Sequence, residues 1–274
     1  MQTTKLMLRN HLVKSPTGNP ADDFEPYLEV YLQRATASPL GAVIVGPGGG
    51  YHARALHEGA PIAAKFTALG FHTFVLQYRV NPYLFPAPQQ DILRAVKLIR
   101  SKAADWRLRA DQIAVLGFSA GGHLAASAGV MHDRIDCSEN DEADAVSGRP
   151  DAMILCYPVI AASEPFAHRG SMVNLLGAAP DQQQLAAMDL HKFANENTPP
   201  TFIWHTAEDA LVPVRNSVAF AEKMWSCGGT CELHVFPHGP HGRGLGLGWR
   251  DLSQWPALAA KFLEVNAGFS RAEV

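Results

Sequence analysis

Residues 112–130 read QIAVLGFSAGGHLAASAGV, and the order of residue types along that stretch decides the fold. Ile113 to Leu116 form a short aliphatic run of the kind that lies buried in a parallel sheet, whereas 121–129, mostly small residues, are compatible with a helix. Between them stands Gly117-Phe118-Ser119-Ala120-Gly121, a G-x-S-x-G pattern in a strand-turn-helix setting. Gly117 and Gly121 remove the Cβ atoms that would hold strand and helix apart, so the serine can sit on a strained turn. Ser119 Oγ is therefore expected above the sheet at a helix N-terminus, as a candidate nucleophile.

Outward from this turn, apolar segments alternate with helix-like ones. Strands are predicted near 27–32, 41–45, 73–77, 112–116, 152–156, 201–205 and 232–236, and most are short and bounded by Gly or Pro. Helices are predicted near 62–69, 89–103, 121–129, 214–227 and 252–265. In the second of these, Ile92, Ala95, Val96 and Ile99 recur three and four apart. This alternation predicts an α/β fold, a mostly parallel twisted sheet with helices on both faces. At 274 residues and 47% apolar composition, one domain over 1–274 is the expectation. Residues 163–197 break the rhythm and lie between the later strands; a small cap or insertion beside the site and a pair of ordinary surface helices are both open.

Two further loops suit the serine's chemistry. Gly46-Pro47-Gly48-Gly49-Gly50 closes the apolar run 41–45, upstream of the nucleophile, where a glycine-rich loop can bring backbone N–H groups to an oxyanion. The N–H groups of Gly49, Gly50 and Ala120 are the expected donors. A phosphate cradle fits less well, because no Lys-Ser/Thr follows and the glycine spacing matches no dinucleotide fingerprint. In this arrangement the acid and base follow the nucleophile in chain order, each after a strand. The acid is Asp209 or its neighbour Glu208 in HTAEDALVP (205–213); Asp209 is preferred, because Val212-Pro213 opens the next helix and fixes the register. The base is His241 or His238 in FPHGPHG (236–242), with His241 preferred by the template. Tyr51, His52, Phe118 and His238 are candidates to border a substrate pocket. His123 on the elbow helix reads as structural, and whether His57 and His205 also border the pocket is left open by the sequence.

A net charge of −3 with scattered signs offers no footprint for nucleic acid or an anionic membrane, so neither is expected as a partner. Charged residues such as Lys5, Arg9, His11 and Lys14 occupy the first twenty positions, and no transmembrane-length apolar run occurs; a cytoplasmic protein is the expectation. Cys137, Cys156, Cys227 and Cys231 read as free thiols. Without H-E-x-x-H or a comparable cluster, no metal or other cofactor is expected.

Taken together, the stretches PGGGY (47–51), EGAPIAAKF (58–66), LQYRV (76–80), PAPQQDILRAV (86–96), GFSAGGHLAA (117–126), CYPVI (156–160), HTAEDALVPV (205–214) and GPHG (239–242) resemble bacterial acetyl-esterase and feruloyl-esterase-like α/β-hydrolases over nearly the full chain. That carbohydrate-esterase group is related to the hormone-sensitive-lipase-like esterases. The resemblance implies the α/β-hydrolase fold and removal of small acyl groups, often O-acetyl groups on xylan-type oligosaccharides. Ser119, Asp209 and His241 then form the triad, acting on a small-molecule or oligosaccharide ester. Pro47 stands where related lipases carry His, a departure that leaves the glycine donors intact. Two rivals remain: an amidase, peptidase or arylformamidase-type enzyme with the same triad, and an inactive hydrolase fold that serves as a receptor.

Overall fold

The structure, a computed structural model, describes residues 4–9, 11–33 and 38–273. Among these, strands β1 (Thr4–Met7), β2 (Tyr27–Tyr31), β3 (Leu40–Gly46), β4 (His72–Gln77), β5 (Leu108–Phe118), β6 (Ala152–Cys156), β7 (Thr201–Thr206) and β8 (Cys231–Phe236) form one sheet. Its order is β1-β2-β4-β3-β5-β6-β7-β8. β2 runs antiparallel to both β1 and β4, and every pairing from β4 to β8 is parallel. The helices are α1 (Ala60–Ala68), α2 (Ala87–Ser101), α3 (Ala103–Trp106), α4 (Ala120–Val130), α5 (Arg169–Leu176), α6 (Gln182–Ala186), α7 (Arg215–Ser226) and α8 (Trp255–Ala267).

Strand alternation divides the core into two layers. Ala42, Ile44, Ile113, Val115, Met153, Leu155 and Ile203 face the layer that holds α2, α4 and α7. Their neighbours Val43, Val45, Ala114, Leu116, Ile154, Phe202 and Trp204 face α1 and α8. Both faces of the central strands are thus covered, which is why β3 and β6 read as unbroken apolar runs. Two of the sequence motifs meet in a buried ion pair that joins the end of β4 to α2. Arg79 Nη2 lies 2.6 Å from Asp91 Oδ1, and the Arg79 amide donates to Asp91 Oδ2 at 2.8 Å.

The predicted strands all form; 152–156 coincides with β6, and the others have at least one end shifted by a residue or more. β5 extends back to Leu108 through three exposed residues, Arg109, Ala110 and Asp111, that form no apolar run. β1 was not predicted, because at the sheet edge none of its four residues is buried. The helix predicted over 89–103 ends at Ser101 and is followed by the separate short α3. In 163–197 lie α5, α6 and a 3₁₀ turn at Leu190–Phe193. The Asp189 carboxylate fastens this segment to the chain leaving β6 by accepting from the Ala162 amide at 2.7 Å and the Ser163 amide at 3.0 Å.

Candidate active site

Ser119 lies between β5 and α4 with φ 53° and ψ −117°, a conformation that costs roughly 1–3 kcal/mol for a residue with a side chain. The surrounding backbone enforces it. The Ser119 amide donates to the Cys156 carbonyl at 3.0 Å, and its own carbonyl accepts from the amides of His123 (3.1 Å) and Val159 (3.0 Å). The flanking glycines are required by close approach. A Cβ on Gly117 would lie 1.9 Å from the Gly121 carbonyl oxygen, and one on Gly121 2.2 Å from that of Gly46.

β7 and β8 deliver the two other groups. His241 Nδ1 lies 2.6 Å from Asp209 Oδ2, and its Nε2 lies 2.8 Å from Ser119 Oγ. A carboxylate can only accept, so Nδ1 carries the hydrogen and Nε2 is left to accept from the serine hydroxyl. Asp209 Oδ1 accepts from the amides of Leu211 (3.0 Å) and Val212 (2.9 Å). His205 Nε2 donates to the Val212 carbonyl at 2.8 Å and lies 3.3 Å from Asp209 Oδ2. Burial pushes the Asp209 carboxyl up, but hydrogen bonds from His205, His241 and the Val212 amide outweigh it and hold the group well below the usual carboxylate range. Asp209 is an anion, aligned to keep His241 in one tautomer.

The competing residues pair with each other. His238 Nδ1 lies 2.8 Å from Glu208 Oε1, and the Gly239 amide donates to Glu208 Oε2 at 3.0 Å, with both side chains exposed.

In the loop after β3, Gly49 has φ 124° and Gly50 φ 64°. A Cβ on Gly49 would fall 2.3 Å from the Ala53 carbonyl oxygen, so no other residue fits. Among the described residues, the Gly49, Gly50 and Ala120 N–H groups serve none of the local hydrogen bonds. Ala120 opens α4, where first-turn amides lack a helical partner. The three N–H groups are thus left without a partner in the loop and helix that flank Ser119.

Tyr51 and Phe118, named above as candidates to border a pocket, are both fully buried. Tyr51 Oη donates to His123 Nδ1 at 2.9 Å, while His123 Nε2 donates to the Met188 carbonyl at 3.2 Å. Phe118 packs on Tyr157 and Trp255, with ring centroids 5.6 and 5.9 Å away. His52 is exposed. From the 163–197 segment, Asn174 Nδ2 donates to the Gly50 carbonyl at 2.8 Å, which sets α5 against the glycine loop. His168 caps α5, its Nδ1 accepting from the Ser171 amide at 3.3 Å. Burial, and then the His241 charge, push the His168 imidazole down.

Sequence reasoning gave no role to Glu58, Tyr157, His168 or Asn174. Glu58 and Tyr157 stand inside stretches that carry the resemblance, EGAPIAAKF and CYPVI, and that placement was the available signal. All four cysteines are free. Among the described residues no helix is long and apolar enough to cross a membrane.

A family model described as BD-FAE matches residues 28–224. The fold superposes on an acetyl ester-xyloside bifunctional hydrolase from Caldicellulosiruptor lactoaceticus with a TM-score of 0.85 and 41% identity, covering 93% of this chain and 96% of that one. Endo-1,4-beta-xylanase B of Butyrivibrio fibrisolvens is 39% identical over 223 residues, 80% of this chain and 35% of that protein. The acetylxylan esterase of Xylanibacter ruminicola is 29% identical over 263 residues, 91% of this chain and 52% of that protein. The chain thus spans a third to a half of the length of these two relatives, and its fold is that of the α/β-hydrolases.

Proposed function

The chain belongs to the BD-FAE family, and on that footing we propose that it is a serine carboxylesterase that removes small acyl groups, its substrates being O-acetyl esters of xylan-type oligosaccharides. The observation that carries this reading is the continuous relay from Ser119 through His241 to the buried Asp209, beside three uncommitted backbone amides. Acetyl as the acyl group and carbohydrate as the alcohol are supported by the acetyl ester-xyloside hydrolase and the acetylxylan esterase that the chain resembles.

In the proposed reaction, His241 Nε2 takes the Ser119 proton as Oγ attacks the ester carbonyl. Charge on the tetrahedral oxygen is received by the Gly49, Gly50 and Ala120 N–H groups, each contributing about 3–4 kcal/mol to the transition state. His241 returns the proton to the departing alcohol, and water, activated by the same imidazole, releases the acid. Asp209 stays ionised and fixes His241 with Nε2 toward the serine.

Turnover of p-nitrophenyl acetate, and acetate release from acetylated xylo-oligosaccharides followed by mass spectrometry, test the proposal. Ser119→Ala should abolish both in a folded sample. Undiminished turnover in that variant would overturn the nucleophile, and faster cleavage of N-formyl or dipeptide substrates than of acetyl esters would overturn the substrate class.

A further inference from the structure

Glu58 is a carboxylate with 2% exposure, placed in a turn that precedes α1. Burial of a carboxylate is costly unless hydrogen bonds replace its water. Two groups replace it here, and they come from different parts of the site. Oε2 accepts from the Gly48 amide at 2.8 Å, and Oε1 accepts from the Tyr157 hydroxyl at 2.5 Å. The neighbouring His57 Nε2 lies 3.6 Å from Oε1 and donates to the Gly242 carbonyl at 3.0 Å.

Each contact touches the reactive centre at one remove. Gly48 immediately precedes the nominated donors Gly49 and Gly50, and it packs so closely on the elbow that a Cβ there would lie 2.7 Å from Glu58 Oε2 and 3.1 Å from Ser119 Cβ. Tyr157 follows β6 with φ 36°, its amide donating to the Trp204 carbonyl at 2.7 Å. Its ring meets the His241 imidazole edge-on, centroids 4.9 Å apart, and its hydroxyl accepts from the Gly244 amide at 3.0 Å. Burial, and then the Glu58 charge, push the Tyr157 phenol well above its ordinary range, so it remains a donor to the carboxylate.

We infer that Glu58 is a positioning residue for the proposed ester hydrolysis: through Gly48 and Tyr157 it locks the glycine loop and the His241 loop into one frame around Ser119. The inference rests on the esterase reading above. The carboxylate accepts from both Gly48 N–H and Tyr157 O–H; an amide in its place keeps a single acceptor oxygen, so it holds only one of these two bonds in its present direction. Ground-state binding does not depend on this frame, whereas oxyanion stabilisation and the His241-to-Ser119 alignment do. Disruption should therefore fall on kcat rather than KM.

The test compares Glu58→Gln, Tyr157→Phe and the double variant with the wild type on p-nitrophenyl acetate, alongside Ser119→Ala. Melting temperature is measured for each, and assays are run well below it. Glu58→Gln should lower kcat about 10- to 100-fold with KM within about 3-fold. Affinity for a trifluoromethyl ketone, which forms a tetrahedral adduct on the serine, should fall by a similar factor. The double variant should lose little more than the worse single one, because both cut the same bridge. If Glu58→Gln instead keeps kcat within about 2-fold, or raises KM alone, or multiplies fully with Tyr157→Phe, the inference fails. Retained turnover in Ser119→Ala would overturn the esterase reading itself, which keeps the two failures distinct.

Discussion

Lowering the pH should unlock the support beneath the glycine loop, and His123 sets the size of the effect. Its ring is fully buried on α4, with Nε2 donating to the Met188 carbonyl at 3.2 Å and Nδ1 accepting from the Tyr51 hydroxyl at 2.9 Å. Both nitrogens are committed to the neutral form. Burial pushes the imidazole down to about 4 from its ordinary 6.5. Between those two values the unfolded chain binds a proton that the folded chain refuses. The stabilisation is therefore complete above about pH 6.5 and is lost as the pH falls, at up to about 1.4 kcal/mol per pH unit. Over the whole window this amounts to about 3 kcal/mol, a large share of the 5–15 kcal/mol that typically holds a domain folded. His123→Gln isolates the effect, since the amide can accept from Tyr51 and donate to Met188 without a titrating site. Urea unfolding of both proteins should show the variant less stable near pH 7, with the gap closing by about 2–3 kcal/mol near pH 4.5. A gap that stays constant within about 0.5 kcal/mol over that range would refute the reasoning.

Asp209→Asn should lower kcat on p-nitrophenyl acetate by about 10⁴-fold, because its NH₂ drives the His241 hydrogen onto Nε2 and removes the acceptor for the serine proton. Glu208→Gln, which changes an exposed pair with His238 and leaves an oxygen to accept from the Gly239 amide, should stay within about 2-fold, and equal losses at the two positions would show that the acid has been misassigned. Gly49→Ala should cut kcat by about 100-fold or more, since its Cβ cannot fit 2.3 Å from the Ala53 carbonyl and the loop must shift its amides; a kcat within about 3-fold would remove Gly49 from the donor set.

What could be read from the sequence was what the backbone demands locally. The elbow has to carry glycine at 117 and 121 because the backbone approaches too closely there for a Cβ. Gly49 likewise announces a conformation that residues with side chains avoid. The buried strands announce themselves by unbroken apolar runs, whereas β1 stays silent because an exposed edge selects no apolar pattern.

Pairing between distant residues was decided only by the tertiary structure. The sequence offers two carboxylates side by side at 208 and 209 and two histidines three apart at 238 and 241. Only the folded loops send Asp209 inward to His241 and Glu208 outward to His238. Tyr51 and Phe118 sit beside the functional loops in sequence, yet their side chains turn into the core, since left-handed backbone at Tyr51 and strand alternation at Phe118 set their directions. Glu58 and Tyr157 are 99 residues apart, and no local pattern marks a buried carboxylate whose partners arrive from other strands. Local steric demands are written in the identities of adjacent residues, so the sequence alone fixes the place of Ser119. Side-chain direction and long-range hydrogen bonding depend on how strands stack, so the surroundings that would make Ser119 reactive exist only in the assembled sheet.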